Sequence, residues 1–245
     1  MGRFAACLDP ALRDLYEKSS EGRQVHNEIV LVIGNKAWSS WSLRPWLAAK
    51  VAGIPFREEH VQLRQPDSAA QIARHSPSAR VPVLKRGALT VWDSLAICEY
   101  LAEISAHVKL WPDDPAARAV ARSVAAEIHS SFHALRKELS MDFHARFNRV
   151  EPSDAAKADI ARIVAVWRDT RKAYDAGGPF LFGAFSVADA MYAPVATRFR
   201  TYGIDLAAFG DDGTAAAYAH EVLSLPAMHD WGQGAAREGI AGGAA

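Results

Sequence analysis

The sequence predicts a two-domain protein, an α/β unit joined through a short hinge to an all-α bundle. Three observations carry this. Ile29-Val30-Leu31-Val32-Ile33 is an unbroken apolar run closed by Gly34-Asn35, the pattern of a strand buried on both faces, which requires helices flanking it. Strand and helix signals then alternate in the order β-α-β-α-β-β-α. Beyond the Pro/Asp-rich segment Trp111 to Pro115, every periodic stretch is helical.

Residues 1–27 join "LDPALRDLYEKSS", compatible with a short helix, to the polar "EGRQVHNE", and are expected to form an extension outside the core. After the first strand, Leu43, Trp46, Leu47 and Val51 have helical spacing. Pro45 is tolerated only in a first turn, so this helix is predicted to begin between Ser40 and Ser42. Gly53-Ile54-Pro55 ends it. Residues 56–63 form a weaker strand candidate, and 64–78 are polar around one short helix. Val83-Leu84, a turn at Arg86-Gly87 and Leu89 to Val91 give a hairpin signal. The next helix, from Ser94, carries Ile97, Leu101 and Ile104 on one face. The predicted α/β domain is 28–106, the linker 107–116, the helical domain 117–237 and a frayed Gly/Ala-rich tail 238–245. In the helical domain Val120, Val124, Ile128, Phe132, Leu135 and Leu139 mark one long amphipathic helix. Ile160, Ile163, Val164, Trp167 and Tyr174 mark a second. A third begins at Ser186 and contains Pro194, which is expected to kink it.

Half of the 245 residues are hydrophobic, enough for a sizeable core, and 28 basic residues cancel 28 acidic ones. That balance predicts neither nucleic-acid nor anionic-membrane partners. No apolar run approaches the roughly 18 residues of a membrane span. Two isolated cysteines, Cys7 and Cys98, supply no disulfide framework and no metal cluster, and free thiols suit a reducing, cytoplasmic setting. No histidine–carboxylate spacing argues for a metal.

Four short features carry candidate chemistry. In "WSSWSLRPW" (residues 38–46) a serine serves either as a plain helix N-cap or as a hydroxyl donor to an anionic sulfur. Aided by the helix dipole, the second role lowers a thiol pKa from about 8.5 toward neutrality. In "RVPV" (80–83) Pro82 is either an ordinary trans proline at a strand start or a cis proline that turns the Val81 backbone toward an extended peptide ligand. Asp93-Ser94 is either a cap or a clamp, Ser94 at a helix N-terminus taking a carboxylate and Asp93 an ammonium group. Ser186-Val187-Ala188-Asp189 reads as a structural capping box.

In this order the motifs resemble the cytosolic glutathione transferase superfamily. "SSWSLR" is similar to the "SSCSWR"-type serine motif of the zeta class, "RVPVL" to the cis-proline segment, "DSLAICEYL" to the pair that grips the γ-glutamyl end of glutathione, and "FLFGAFSVADAMYAP" to the capping-box segment. "LPAMHDW" resembles the family's ending. The resemblance spans about residues 29–235 and implies a thioredoxin-like glutathione-binding domain, an all-α substrate domain, glutathione as co-substrate and a homodimer. It puts Ser39 in the catalytic place with Ser40 beside it, although Ser42 competes for the register. It implies a backbone role for Val81, the cis bond for Pro82, and the γ-glutamyl clamp for Asp93 and Ser94. Trp41 stands where the motif has cysteine, and Asp93 where zeta members have glutamine.

The second substrate is expected against "EIHSSFHALRKELSMDFHARF" (127–147), with Trp38 and Trp41 as walls and His133 or Arg136 as polar contacts. The implied activity is transfer of the glutathione thiolate to small hydrophobic electrophiles. Glutathione-dependent maleylacetoacetate isomerisation is the alternative enzyme, and a non-catalytic glutathione- or protein-binding module the alternative of another class. A thiol-disulfide oxidoreductase would need a cysteine near residue 39.

Overall fold

The computed structural model describes residues 28–147, 150–174 and 177–241. The expectations for residues 1–27, including Cys7, and for the last four residues fall outside that range.

The α/β unit runs β1 (Ile29–Gly34), α1 (Ser40–Val51), β2 (Arg57–Val61), α2 (Ser68–Ala73), β3 (Val83–Arg86), β4 (Leu89–Val91) and α3 (Ser94–Ile104). Its sheet has the order β2-β1-β3-β4, with β2 parallel to β1 and the other pairs antiparallel. The unbroken apolar run of β1 follows from its central place. Leu31 and Ile33 enter the main core with Leu43, Leu47, Ile97 and Leu101 of α1 and α3, while Val32 joins Val61, Ile72 and Val83 in a second cluster on the other face. A strand with two buried faces cannot alternate.

The helical unit comprises α4 (Pro115–Ser130), α5 (His133–Glu138), α6 (Asp154–Tyr174), α7 (Val187–Tyr202), a 3₁₀ turn Leu206–Phe209, α8 (Thr214–Ser224) and α9 (Pro226–Ala241). α7 is buried along nearly all of its length and begins at the expected capping box. Asp189 accepts from the Ser186 amide at 2.7 Å and the Ser186 hydroxyl at 2.9 Å. α7 packs on α1, α4 and α8, so both units share one core.

Four expectations change. The single helix over 120–139 is two: Phe132 takes left-handed angles (φ 64, ψ 46) between α4 and α5. Arg136 folds back across this break, donating to the Ser131 carbonyl at 3.0 Å and to the Ile128 carbonyl. The apolar period survives because Phe132, Leu135 and Leu139 still enter the same core. Pro45 lies past the first turn of α1, where its missing N–H deprives the Trp41 carbonyl of its helical partner. The helix after the linker starts at Pro115, inside the 107–116 range expected for the linker, and Trp111 in that linker is buried with its Nε1–H donating to Glu99 at 2.9 Å. Finally, α9 continues through Ala241, beyond the expected boundary at 237.

Candidate active site

α1 begins where β1 ends, and three serines meet there. Ser39 is the N-cap, its Oγ accepting from the Ser42 amide at 3.4 Å and donating to Ser42 Oγ at 2.7 Å. Ser42 Oγ also accepts the Gly34 N–H at 3.1 Å, which ties the end of β1 to the start of α1. Ser42 is fully buried; Ser39 and Ser40 line a cavity of about 650 Å³. That cavity gathers every site residue singled out in the sequence except Ser42, His133 and Arg136: Trp38, Ser39, Ser40, Trp41, Val81, Pro82, Asp93 and Ser94. The Val81–Pro82 peptide is cis. Val81 stands just beyond Val32↔Val83, the last β1–β3 pair, so its backbone lies past the end of the ladder.

Asp93 caps α3, one carboxylate oxygen accepting from the Leu95 amide at 2.9 Å. Its other oxygen lies 3.1 Å from His129 Nε2. Because Asp93 satisfies the cap, the Ser94 hydroxyl is left over. It is buried in the cavity wall with no hydrogen-bond partner among the described residues, an arrangement that costs free energy unless a ligand completes it.

Three arginines from both units sit close to the start of α1. Arg198 on α7 donates to Ser40 Oγ at 3.3 Å and to the Leu139 carbonyl. The guanidiniums of Arg44 and Arg136 lie 4.2 Å and 4.8 Å from the centre of the Trp41 ring. Burial, reinforced by Arg136 and Arg198, brings Arg44 down to about 9, and burial with Arg136 brings Arg198 down to about 10. Both therefore stay charged at neutral pH. Nε and Nη1 of Arg44 find no acceptor among the described residues, so its charge is only partly compensated, by the Trp41 ring and the field of Asp93.

His133 opens α5 and is exposed outside the cavity, and Arg136 spends donors on the carbonyls at the end of α4. The imidazole at the site is instead His129, 5.3 Å from the Trp41 ring and paired with Asp93. Burial lowers its pKa against the opposing pull of Asp93. Residues 129 and 133 would share a face in one continuous helix. The break at Phe132 separates them. A larger groove of about 780 Å³, lined by Ile29, Ile54, Phe56 and Ile104 among others, lies at the opposite end of the sheet and away from the serines.

A mixed four-stranded sheet with a cis-proline loop, joined to a helical unit and sharing its core, defines a thioredoxin-like domain with an all-α partner. Residues 38–104 match the family model for the N-terminal domain of glutathione S-transferases. A probable maleylacetoacetate isomerase from Caenorhabditis elegans is 32% identical over 96 residues, 39% of this chain and 44% of that protein. The maleylacetoacetate isomerase of Rattus norvegicus is 27% identical over 175 residues, 69% of this chain and 77% of that one. The match thus spans less than half of the first relative and about three quarters of the second. A glutathione transferase homolog from Burkholderia, solved with bound glutathione, superposes with a TM-score of 0.66 over 86% of this chain and 99% of the other, at 22% identity. The chain has the glutathione transferase fold, and its residues 38–104 carry the match to the N-terminal domain of that family.

Proposed function

We propose that this chain is a glutathione transferase that binds glutathione across the Ser39–Ser94 cavity and presents its thiolate to a small hydrophobic electrophile. The observation that carries the reading is the orphaned Ser94 hydroxyl, buried in the same cavity that Ser39 lines. A tripeptide with a zwitterionic γ-glutamyl end fits this donor set. Its carboxylate takes the Ser94 hydroxyl at the α3 N-terminus, its ammonium takes Asp93, and the Val81 backbone pairs with the cysteinyl unit in strand fashion. The sulfur then reaches the start of α1.

There the Ser39 hydroxyl turns its proton from Ser42 Oγ to the sulfur, and the Ser42 hydroxyl donates back to Ser39 across their 2.7 Å separation. A hydrogen bond to a charged acceptor is worth about 1.5–3 kcal/mol and a helix N-terminus about 0.3–1 kcal/mol. At 1.36 kcal/mol per pKa unit these bring a thiol from about 8.5 to between about 6 and 7. The hydroxyl is the larger contributor, and the buried arginine charges act in the same direction. The thiol proton leaves to solvent. The thiolate bonds to the electrophilic carbon, and the displaced group departs with its electron pair. No covalent enzyme intermediate forms, so catalysis rests on ionisation and positioning.

Trp38, Trp41 and Trp92 give the cavity an apolar side suited to the electrophile, with His129 rather than His133 as the nearby imidazole. Glutathione-dependent isomerisation is a second reading, favoured by the names of the two isomerase relatives. A cytoplasmic homodimer without a metal completes the proposal.

The test is Ser94→Ala. Deleting an unsatisfied buried hydroxyl leaves stability unchanged or raised, while glutathione affinity should fall about tenfold by calorimetry. Unchanged affinity would remove the clamp from the reading.

A further inference from the structure

We infer that the C-terminal helix α9 sets the geometry of the thiol-activating serine, with Glu238 as a positioning residue acting through the Asn35–Lys36 peptide group. The inference rests on the reading of Ser39 as the thiol-activating hydroxyl.

Asn35 and Lys36 share one peptide plane. Its carbonyl accepts the Ser39 N–H at 2.8 Å and the Trp38 N–H at 3.2 Å. Its N–H donates to both carboxylate oxygens of Glu238, 202 residues further along, at 2.8 and 3.0 Å. One rigid group therefore touches α9 on one edge and the backbone of Ser39 on the other. A carboxylate acceptor also polarises the amide, which makes the opposite carbonyl a stronger acceptor for Ser39.

The flanking groups are held from the same side of the molecule. The Lys36 carbonyl accepts the Trp231 Nε1–H at 2.8 Å in a buried bond, and the Ala37 carbonyl accepts the Phe143 N–H at 3.0 Å. The Lys36 side chain lies over the Trp46 and Trp231 rings, 5.0 and 5.4 Å from their centres, and its ammonium pairs with Glu58 at 2.7 Å. His60 stands between Glu58, at 2.8 Å, and Glu238, at 3.5 Å. Two glycines let the helix come this close. A Cβ at Gly234 would fall 2.7 Å from Lys36 Cδ, and one at Gly232 would fall 2.6 Å from Phe143 Cε1. A glutamate that only decorated a helix surface would not take both the amide and the histidine.

The consequence is directional. Ser39 must aim its hydroxyl at the sulfur within the narrow angular range in which a hydrogen bond keeps its strength, and its backbone is anchored to a peptide group that α9 grips. Binding of the γ-glutamyl end, made by Asp93 and Ser94 on the other side of the cavity, does not pass through this contact.

Residue-resolved amide hydrogen exchange on the free protein, paired with ultraviolet titration of bound glutathione, compares wild type with Glu238→Ala and Glu238→Gln. The alanine variant should exchange the Ser39 amide about tenfold faster and hold about tenfold less thiolate at pH 6.5, with glutathione affinity within about twofold. The glutamine variant keeps an acceptor oxygen for Lys36 N–H and should stay within about threefold of wild type in both readouts. If Glu238→Ala does not fold, Trp231→Phe, which removes the Nε1–H on the Lys36 carbonyl together with part of a buried ring, carries the same expectation for the Ser39 amide and the thiolate. Wild-type exchange at Ser39 in the variant, or a lowered melting temperature with an unaltered thiol pKa, overturns the inference. Should wild type fail to bind glutathione, the transferase reading falls by itself, while the exchange at Ser39 still decides whether α9 anchors the serine.

Discussion

At the residue scale, division of labour among neighbouring polar groups decides what is free to act. Ser42 is buried, receives the Gly34 N–H and the Ser39 hydroxyl, and cannot reach a ligand. Ser42→Ala leaves the Gly34 amide unpaired, which costs about 1–3 kcal/mol of stability, and removes the group that orients Ser39. Denaturant unfolding and conjugation rates should both drop, the rate about tenfold at pH 6.5. A variant that loses stability but conjugates normally would separate Ser42 from the site. The motif "WSSWSLR" made the cluster of hydroxyls legible but not their ranking. Which serine caps, which faces the cavity and which lies behind is a matter of backbone angles at one turn, and residue type does not encode it. Asp93-Ser94 was readable as a cap or a clamp. The geometry shows the cap, which Asp93 satisfies with one oxygen, and leaves the Ser94 hydroxyl without a partner among the described residues.

At the scale of elements, helix starts were legible because they depend on local chemistry, as the Ser186/Asp189 box shows. The break at Phe132 was not, because apolar period reports burial and both sides of the break face one core. It cost the sequence reading its histidine, His129 taking the place expected of His133. The attachment of α9 to β2 carries its own pH signature. Hydrogen bonds to Glu238 and Glu58 raise His60 to about 9 against desolvation, and Lys36 is the nearby opposing charge. Burial pushes Glu58 up, but hydrogen bonds from His60, Lys36 and Trp46 outweigh it and hold Glu58 at about 2. A raised histidine stabilises fully below its unfolded value of 6.5 and loses that contribution as pH rises through about 9. A depressed glutamate stabilises fully above its unfolded 4.5 and loses that contribution as pH falls toward about 2. The melting temperature of His60→Gln should therefore lie below that of wild type at pH 6 and converge with it above about pH 9. A gap independent of pH would contradict the ion-paired arrangement.

Across the whole molecule, the helical unit contributes charge and anchorage to the proposed site, whose other residues sit in the α/β unit. The contacts that do this join residues 158 and 202 positions apart, Arg198 to Ser40 and Glu238 to Lys36. Such pairs leave no periodic trace, which is why the domain order could be read from the sequence and this dependence could not. Arg44 states the trade between stability and function most sharply, being buried with two donors unpaired. Replacing a buried, poorly compensated charge by an apolar side chain of similar volume is often neutral or stabilising. Arg44→Met should keep or raise the melting temperature while raising the pKa of bound glutathione. A variant that melts several degrees lower with an unchanged thiol pKa would make Arg44 a purely structural residue.

The central claim, that the Ser39 hydroxyl ionises the glutathione sulfur, is tested most directly by the thiolate absorbance of bound glutathione against pH in wild type and Ser39→Ala. The account predicts ionisation near pH 6–7 in wild type, from an ordinary thiol value of about 8.5, and a return toward that value in the variant. The same low pKa in both proteins would contradict it.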